Sequence, residues 1–138
     1  VKGYLLDTNI LSELRKKKPN PNVIDWFNAT APGVLYLSVL TIGEIAKGVE
    51  LLLHKDPTRA QQLKAWLADI TNLYSDRIIP IDIEIARQWG VFSADRTRPV
   101  VDTLLAATAA SRKLTLATRN IEDFIGLEVK VFNPFTGI

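Results

Sequence analysis

Five carboxylates of this chain occupy the same kind of place, at or near a helix start that follows an apolar run. Asp7 ends "YLLD" and is followed by Thr8 and Asn9. Glu44 lies in "SVLTIGEI", Asp82 follows "RIIPI", Asp102 follows Val100 and Val101, and Asp123 lies in "LATRNIEDF". One reading of such a charge is punctuation, because Asp, Asn and Thr accept hydrogen bonds from the free N–H groups of a following helix. Thr41 with Glu44 three residues on has the spacing of a capping box, Asn120 with Asp123 is a weaker version, and Asp82 and Asp102 stand where plain N-caps would. The other reading is a site. In an open parallel sheet, acids that end several strands gather at the carboxyl edge, where ligands bind. Oxygen donors gathered there suit Mg²⁺ or Mn²⁺, and such an ion can activate water and neutralise a phosphate. Glu44 falls opposite the apolar face of its helix, so it is free to face that edge. Spacing alone does not say which acids converge, and it does not exclude Asp82.

Composition removes other chemistries. The chain of 138 residues contains no cysteine, which excludes disulfides, thiol nucleophiles and Cys-based zinc sites. Its one histidine, His54, excludes a two-histidine ribonuclease mechanism within one chain and a paired-histidine metal motif. His54 lies in "LLLHKDP", which reads as a solvated helix end beside a turn. A net charge of +2 permits a polyanionic partner without requiring one. The run Arg15–Lys18 reads first as solvated surface, where cations suit a helix C-terminus. No apolar stretch reaches membrane-spanning length and no signal-peptide pattern is visible, so the expected compartment is the cytoplasm.

Strands and helices must alternate to position these acids. Apolar runs at Tyr4–Leu6, Val34–Ser38, Arg77–Ile81, Leu114–Ala117 and Val129–Phe132 read as strands. Helical patterns start at Asn20–Pro21, Thr41, Asp56–Pro57, Asp82 and Asp102, the last in the alanine-rich "DTLLAATAASRK". Long helical connections between short strands imply βαβ units and a parallel sheet. Trp26, Trp66 and Trp89 each lie on an apolar stripe, which assigns them to core or subunit interface. The chain shows neither repeat nor linker, and residues 1–138 read as one domain.

The stretches "YLLDTNILSEL", "LTIGEIAKGVE", "PVVDTLLAATA" and "LATRNIEDF…KVFNPF" together resemble a PIN-domain nuclease, in particular the toxins of VapBC-type toxin–antitoxin pairs and their FitB-like subgroup. The segment before Asp102, "SADRTRPVVD", is short and lacks the glycine often seen there in relatives. The resemblance implies a three-layer α/β/α fold around a mainly parallel sheet of roughly five strands. It implies a metal-dependent endoribonuclease acting on single-stranded or loop RNA, a homodimer, and a cognate antitoxin. It maps the catalytic and metal-binding acids onto Asp7, Glu44, Asp102 and Asp123 and leaves Asp82 as a helix cap. Asp7 and Asp102 would lie closest to Mg²⁺ or Mn²⁺, with Glu44 and Asp123 as ligands or water-mediated partners. Thr8, Asn9, Thr118 and Asn120 would support those ligands or touch phosphate. A phosphatase of the haloacid dehalogenase type needs D-x-D-x-T, whereas this chain has Asp7-Thr8-Asn9. A phospho-receiver needs a lysine that "TLATRN" and "VFNPF" do not supply. The remaining alternative is a weak or inactive Mg-binding partner-interaction module of similar fold.

Overall fold

The apolar triplet Tyr4–Leu6 forms β1 in the middle of a sheet, flanked on both sides. In the computed structural model, which describes residues 3–137, β1 pairs in parallel with β2 (Leu35–Ser38) and with β4 (Thr115–Ala117). Tyr4 stands opposite Leu35 and Thr115, and Leu6 opposite Ala117. β3 (Ile78–Ile79) extends the sheet beyond β2, and β5 (Val131–Phe132) extends it beyond β4. The order is β3-β2-β1-β4-β5 and every pairing is parallel. The chain leaves β1 toward β2 and later returns on the other side through β4. This reversal opens a crevice outside the carboxyl ends of β1 and β4.

Among the described residues six helices cover the sheet: α1 (Thr8–Arg15), α2 (Pro21–Ala29), α3 (Val39–Leu52), α4 (Pro57–Leu73), α5 (Ile83–Ser93) and α6 (Val100–Ser111). Successive strand residues point to opposite faces, and two cores result. Leu5, Leu116 and Ile79 pack with Ile85 and Phe92 of α5 and with Leu105, Ala106 and Ala109 of α6. Leu6, Leu35, Leu37 and Ala117 pack on the other face with Ile10 and Leu11 of α1, Val23 of α2 and Ile70 of α4. Leu5 and Leu6 are fully buried, and each such side chain contributes about 2 kcal/mol. The three-layer parallel α/β expectation is met. Among the described residues no helix is long and apolar enough to cross a membrane.

Several boundaries differ from the sequence expectations. β3 is confined to Ile78–Ile79 because Pro80 has no N–H to donate and Asp82 already caps α5. Val34 belongs to a 3₁₀ turn, Pro32–Val34. The N–H of Leu114 closes the end of α6 on the Ala109 carbonyl at 2.8 Å, with Lys113 in the left-handed region at φ 56°, so β4 starts one residue later. Val129 turns back onto the Leu127 carbonyl at 2.9 Å and stays outside β5. α3 begins at Val39, not Thr41, because the hydroxyl of Ser38 accepts the N–H of Leu40 at 3.0 Å and β2 passes into the helix without a loop. Thr41 is therefore buried inside the first turn, and the Thr41–Glu44 capping box does not form. α6 begins at Val100 after Pro99, which puts Asp102 inside the first turn and removes it as an N-cap. Asn120 precedes a 3₁₀ turn, Ile121–Phe124, without a side-chain cap bond, so the Asn120–Asp123 box is absent too.

Candidate active site

The tripeptide Asp7-Thr8-Asn9 joins three elements at the carboxyl edge. Asp7 does cap α1, accepting the N–H of Thr8 through Oδ1 at 2.7 Å. Its second oxygen faces the neighbouring strand, where Oδ2 accepts from Thr118 Oγ1 at 2.9 Å, just beyond β4. Thr8 reaches the other way, its Oγ1 donating to Glu44 Oε1 of α3 at 2.7 Å. Asn9 donates through Nδ2 to Asp7 Oδ2 at 3.3 Å, while its Oδ1 accepts the N–H of Arg119 at 3.2 Å. The residue that caps α1 and the residue that bonds across to the end of β4 are thus the same. A charge ends the buried strand because its outer end is where the edges of β1, α3 and β4 are stitched together.

Electrostatics bring the other acids into the same group. Burial is the largest effect on Asp7, which is 8% exposed, and it pushes the carboxyl up to about 6. Hydrogen bonds from Thr118 and from the Thr8 N–H oppose that rise, whereas the charges of Asp102 and Glu44 add to it. The carboxyl of Asp102 is likewise raised, first by burial and then by the charges of Asp123 and Glu44. Asp102 and Glu44 therefore act on Asp7, and Asp123 and Glu44 on Asp102, although these acids come from β1–α1, α3, α6 and the 3₁₀ turn after β4. Asp82 stays outside. Its Oδ1 accepts the Ile85 N–H at 2.9 Å and its Oδ2 pairs with Arg112 at 2.6 Å, and these contacts, the backbone one first, hold its carboxyl below the ordinary range.

The polar neighbours divide by exposure. Thr118 is fully buried: its hydroxyl bonds Asp7 and accepts from the Asn120 N–H at 3.1 Å, so it serves the acid and not the solvent. Asn120 is exposed and takes part through that main-chain bond. His54 lies exposed in the turn after α3. Trp26 and Trp66 are half-buried, Trp26 edge-on to Tyr4 at 5.1 Å, with Arg15 over the Trp66 ring at 5.4 Å. Lys16 pairs with Glu13 at 2.9 Å. Ser38 and Arg119 were not among the candidates from sequence. Ser38 could have been found as a good cap residue directly at a strand end, and Arg119 as the first cation after β4.

The donor set is all oxygen and matches a hard divalent cation. Among the described residues no group of three or more acidic, histidine or cysteine side chains forms a ready-made cage for an ion.

Residues 4–126 match the PIN domain family. The chain is 35% identical over 138 residues to the toxin FitB of Neisseria gonorrhoeae, covering 95% of this chain and 97% of that protein. It is 28% identical to a VapC ribonuclease of Sinorhizobium fredii, covering 95% and 96%. The crystal structure of FitAcB from Neisseria gonorrhoeae superposes with a TM-score of 0.85 at 33% identity, covering 96% of this chain and 98% of that one. A DNA-bound VapBC from Salmonella typhimurium shares the fold with a TM-score of 0.72 at 21% identity, covering 97% and 99%. Strand order, the edge acids and these matches agree, and the chain belongs to the PIN-domain family.

Proposed function

We propose that this chain is a toxin of the VapBC type, an endoribonuclease that hydrolyses RNA phosphodiester bonds with Mg²⁺ or Mn²⁺ held at the carboxyl edge. The observation that carries the reading is the carboxyl edge, where Thr118 and Asn9 bond Asp7, Thr8 bonds Glu44, and the charges of Glu44 and Asp123 bear on Asp102. The charged groups acting most strongly on Asp7 and Asp102 are other acids, so the cluster has a deficit of positive charge that a dication fills. Asp7 and Asp102 would hold the ion, with Glu44 and Asp123 binding it directly or through water. When bound, the ion supplies charge neutralisation at the phosphate and a water more acidic than bulk. The chain's own residues prepare the place. Thr118 and Asn9 orient Oδ2 of Asp7, and Thr8 orients Glu44. Relatives named as ribonucleases and structures of FitA with FitB support the activity and a cognate antitoxin as partner. A homodimer belongs to the same reading.

The test is incubation with total RNA and Mn²⁺, with and without EDTA, followed by mapping of the ends. Water attacking phosphorus directly does not use the 2′-hydroxyl, so the products should carry 5′-phosphate and 3′-hydroxyl ends. A 2′,3′-cyclic phosphate, or cleavage that survives EDTA, overturns the mechanism. Binding of Mn²⁺ without any cleavage would favour the inactive interaction module.

A further inference from the structure

Arg119 follows Thr118 at the carboxyl end of β4, and its main chain is held from two sides. Its N–H donates to Asn9 Oδ1 at 3.2 Å, and its carbonyl accepts from Asn133 Nδ2 at 3.4 Å. Because Asn9 also bonds Asp7, one side chain joins the backbone of Arg119 to the acid cluster. The guanidinium is exposed yet supported, lying over the Phe135 ring 4.7 Å from its centroid. That ring is itself anchored: the Phe135 N–H donates to Asn133 Oδ1 at 2.9 Å, and Asn22 Nδ2 donates to the Phe135 carbonyl at 2.8 Å.

Its electrostatic setting differs from that of the arginines that hold an aspartate. Arg77, Arg98 and Arg112 each pair with an aspartate. Among the described residues Arg119 forms no such pair, and its charge helps to hold the Glu13 carboxyl of α1 below the ordinary range. Glu13 is buried and already accepts from Lys16 Nζ at 2.9 Å and from the Asn20 N–H at 2.8 Å. Lys16, the first residue of an exposed lysine run, and Arg119 therefore act on one carboxylate, on the α1 flank of the acid cluster. A ring-stacked guanidinium keeps its N–H fork free for a phosphate while losing little freedom on binding. A site of four acids repels a polyanion, and a rigid cation at its rim offsets that repulsion.

We propose that Arg119 contacts a phosphate adjacent to the one being cleaved, seating single-stranded RNA between the acid cluster and the α1–α2 loop. The inference rests on the ribonuclease reading above. Its test uses the full chain with Arg119→Gln and Arg119→Lys. Steady-state cleavage of a labelled single-stranded RNA of randomised sequence is measured in Mn²⁺ over a range of salt, beside thermal melting. Arg119→Gln should raise KM about tenfold, the loss of one charge-assisted contact, with a smaller change in kcat. The log–log salt slope of kcat/KM should flatten by about 0.7. Arg119→Lys should recover part of the KM, because it keeps the charge without the planar fork. If wild type cleaves and Arg119→Gln lowers only Tm, with KM and slope unchanged, Arg119 is a structural partner of Phe135 and the proposal falls alone. If wild type cleaves no RNA in Mn²⁺, the ribonuclease reading falls and takes this one with it.

Discussion

At the amino end of α5, Asp82 receives the Ile85 N–H and the Arg112 guanidinium, and its carboxyl is held below the ordinary range. At the amino end of α6, Asp102 has no cap bond, lies half-buried near Asp123 and Glu44, and has its carboxyl raised. Both are aspartates beside a helix start, where the macrodipole favours negative charge. The difference lies in what the rest of the fold brings to them. Around Asp82 it brings a cation from the far end of α6; around Asp102 it brings more acid. Partners that satisfy a charge make it structural, whereas neighbours that frustrate it leave it needing a ligand.

The sharpest way to break this comparison is to neutralise each acid in turn. Asp102→Asn should lower metal-dependent cleavage on the order of 10³-fold, since ligand loss removes several kcal/mol of charge stabilisation. Its melting temperature in EDTA should stay level or rise, and its stabilisation by added Mn²⁺ should shrink. Asp82→Asn should keep cleavage and the Mn²⁺ shift, while Tm falls by a few degrees as the Arg112 pair is lost. Melting with and without Mn²⁺, beside an RNA cleavage assay, reads all of these outcomes. Normal cleavage by Asp102→Asn would dissolve the contrast.

The second largest effect concerns pH in the metal-free protein. The folded pKa of Asp7, about 6, lies above its unfolded value near 3.8, so between these values the folded state binds more protons than the unfolded one. Stability from this group is thus full at low pH and declines as pH rises from about 4 to about 6, by about 3 kcal/mol in total. Asp82 has the opposite sign. Its pKa is lowered, so its contribution is present above the unfolded pKa and is lost as pH falls through the folded one. Denaturant titrations at several pH values should show the fall between pH 4 and 6 in wild type and its flattening in Asp7→Asn. An unchanged slope in the mutant would show that burial does not perturb Asp7.

The smallest effect sharpens the comparison within the cluster. Thr8→Val removes the one hydroxyl that orients Glu44. A single hydrogen bond contributes about 1 kcal/mol, so kcat should fall about fivefold with little change in Tm. A Tm loss without a kcat loss would make Thr8 a structural stitch only.

Much of this is legible in the sequence. Asp56 and Asp82 followed by helical patterns, Asn20 before Pro21, and the period-two strand faces depend on neighbours within a few residues, and the structure keeps them. The misses have a common cause. Thr41 and Asp102 have cap-like spacing, yet a strand or proline set the helix start elsewhere, and local patterns cannot see such tertiary decisions. β3 and β5 are shorter than their apolar runs for the same reason, because a strand ends where its partner or its donors end.

The sequence by itself determined the alternation of strands and helices, the all-oxygen inventory of acids and the absence of thiol chemistry, because these follow from residue type and short-range periodicity. Only the tertiary structure decided that Asp82 meets Arg112, 30 residues away, while Asp7 meets Thr118, 111 residues away. Those partners are brought together by the crossover from β3 past β1 to β4, and the strand order is settled by the packing of two cores on opposite faces of one sheet. The sign of each carboxyl's shift is a property of that packing, since charge interactions act through space and carry no trace in the spacing of residues along the chain.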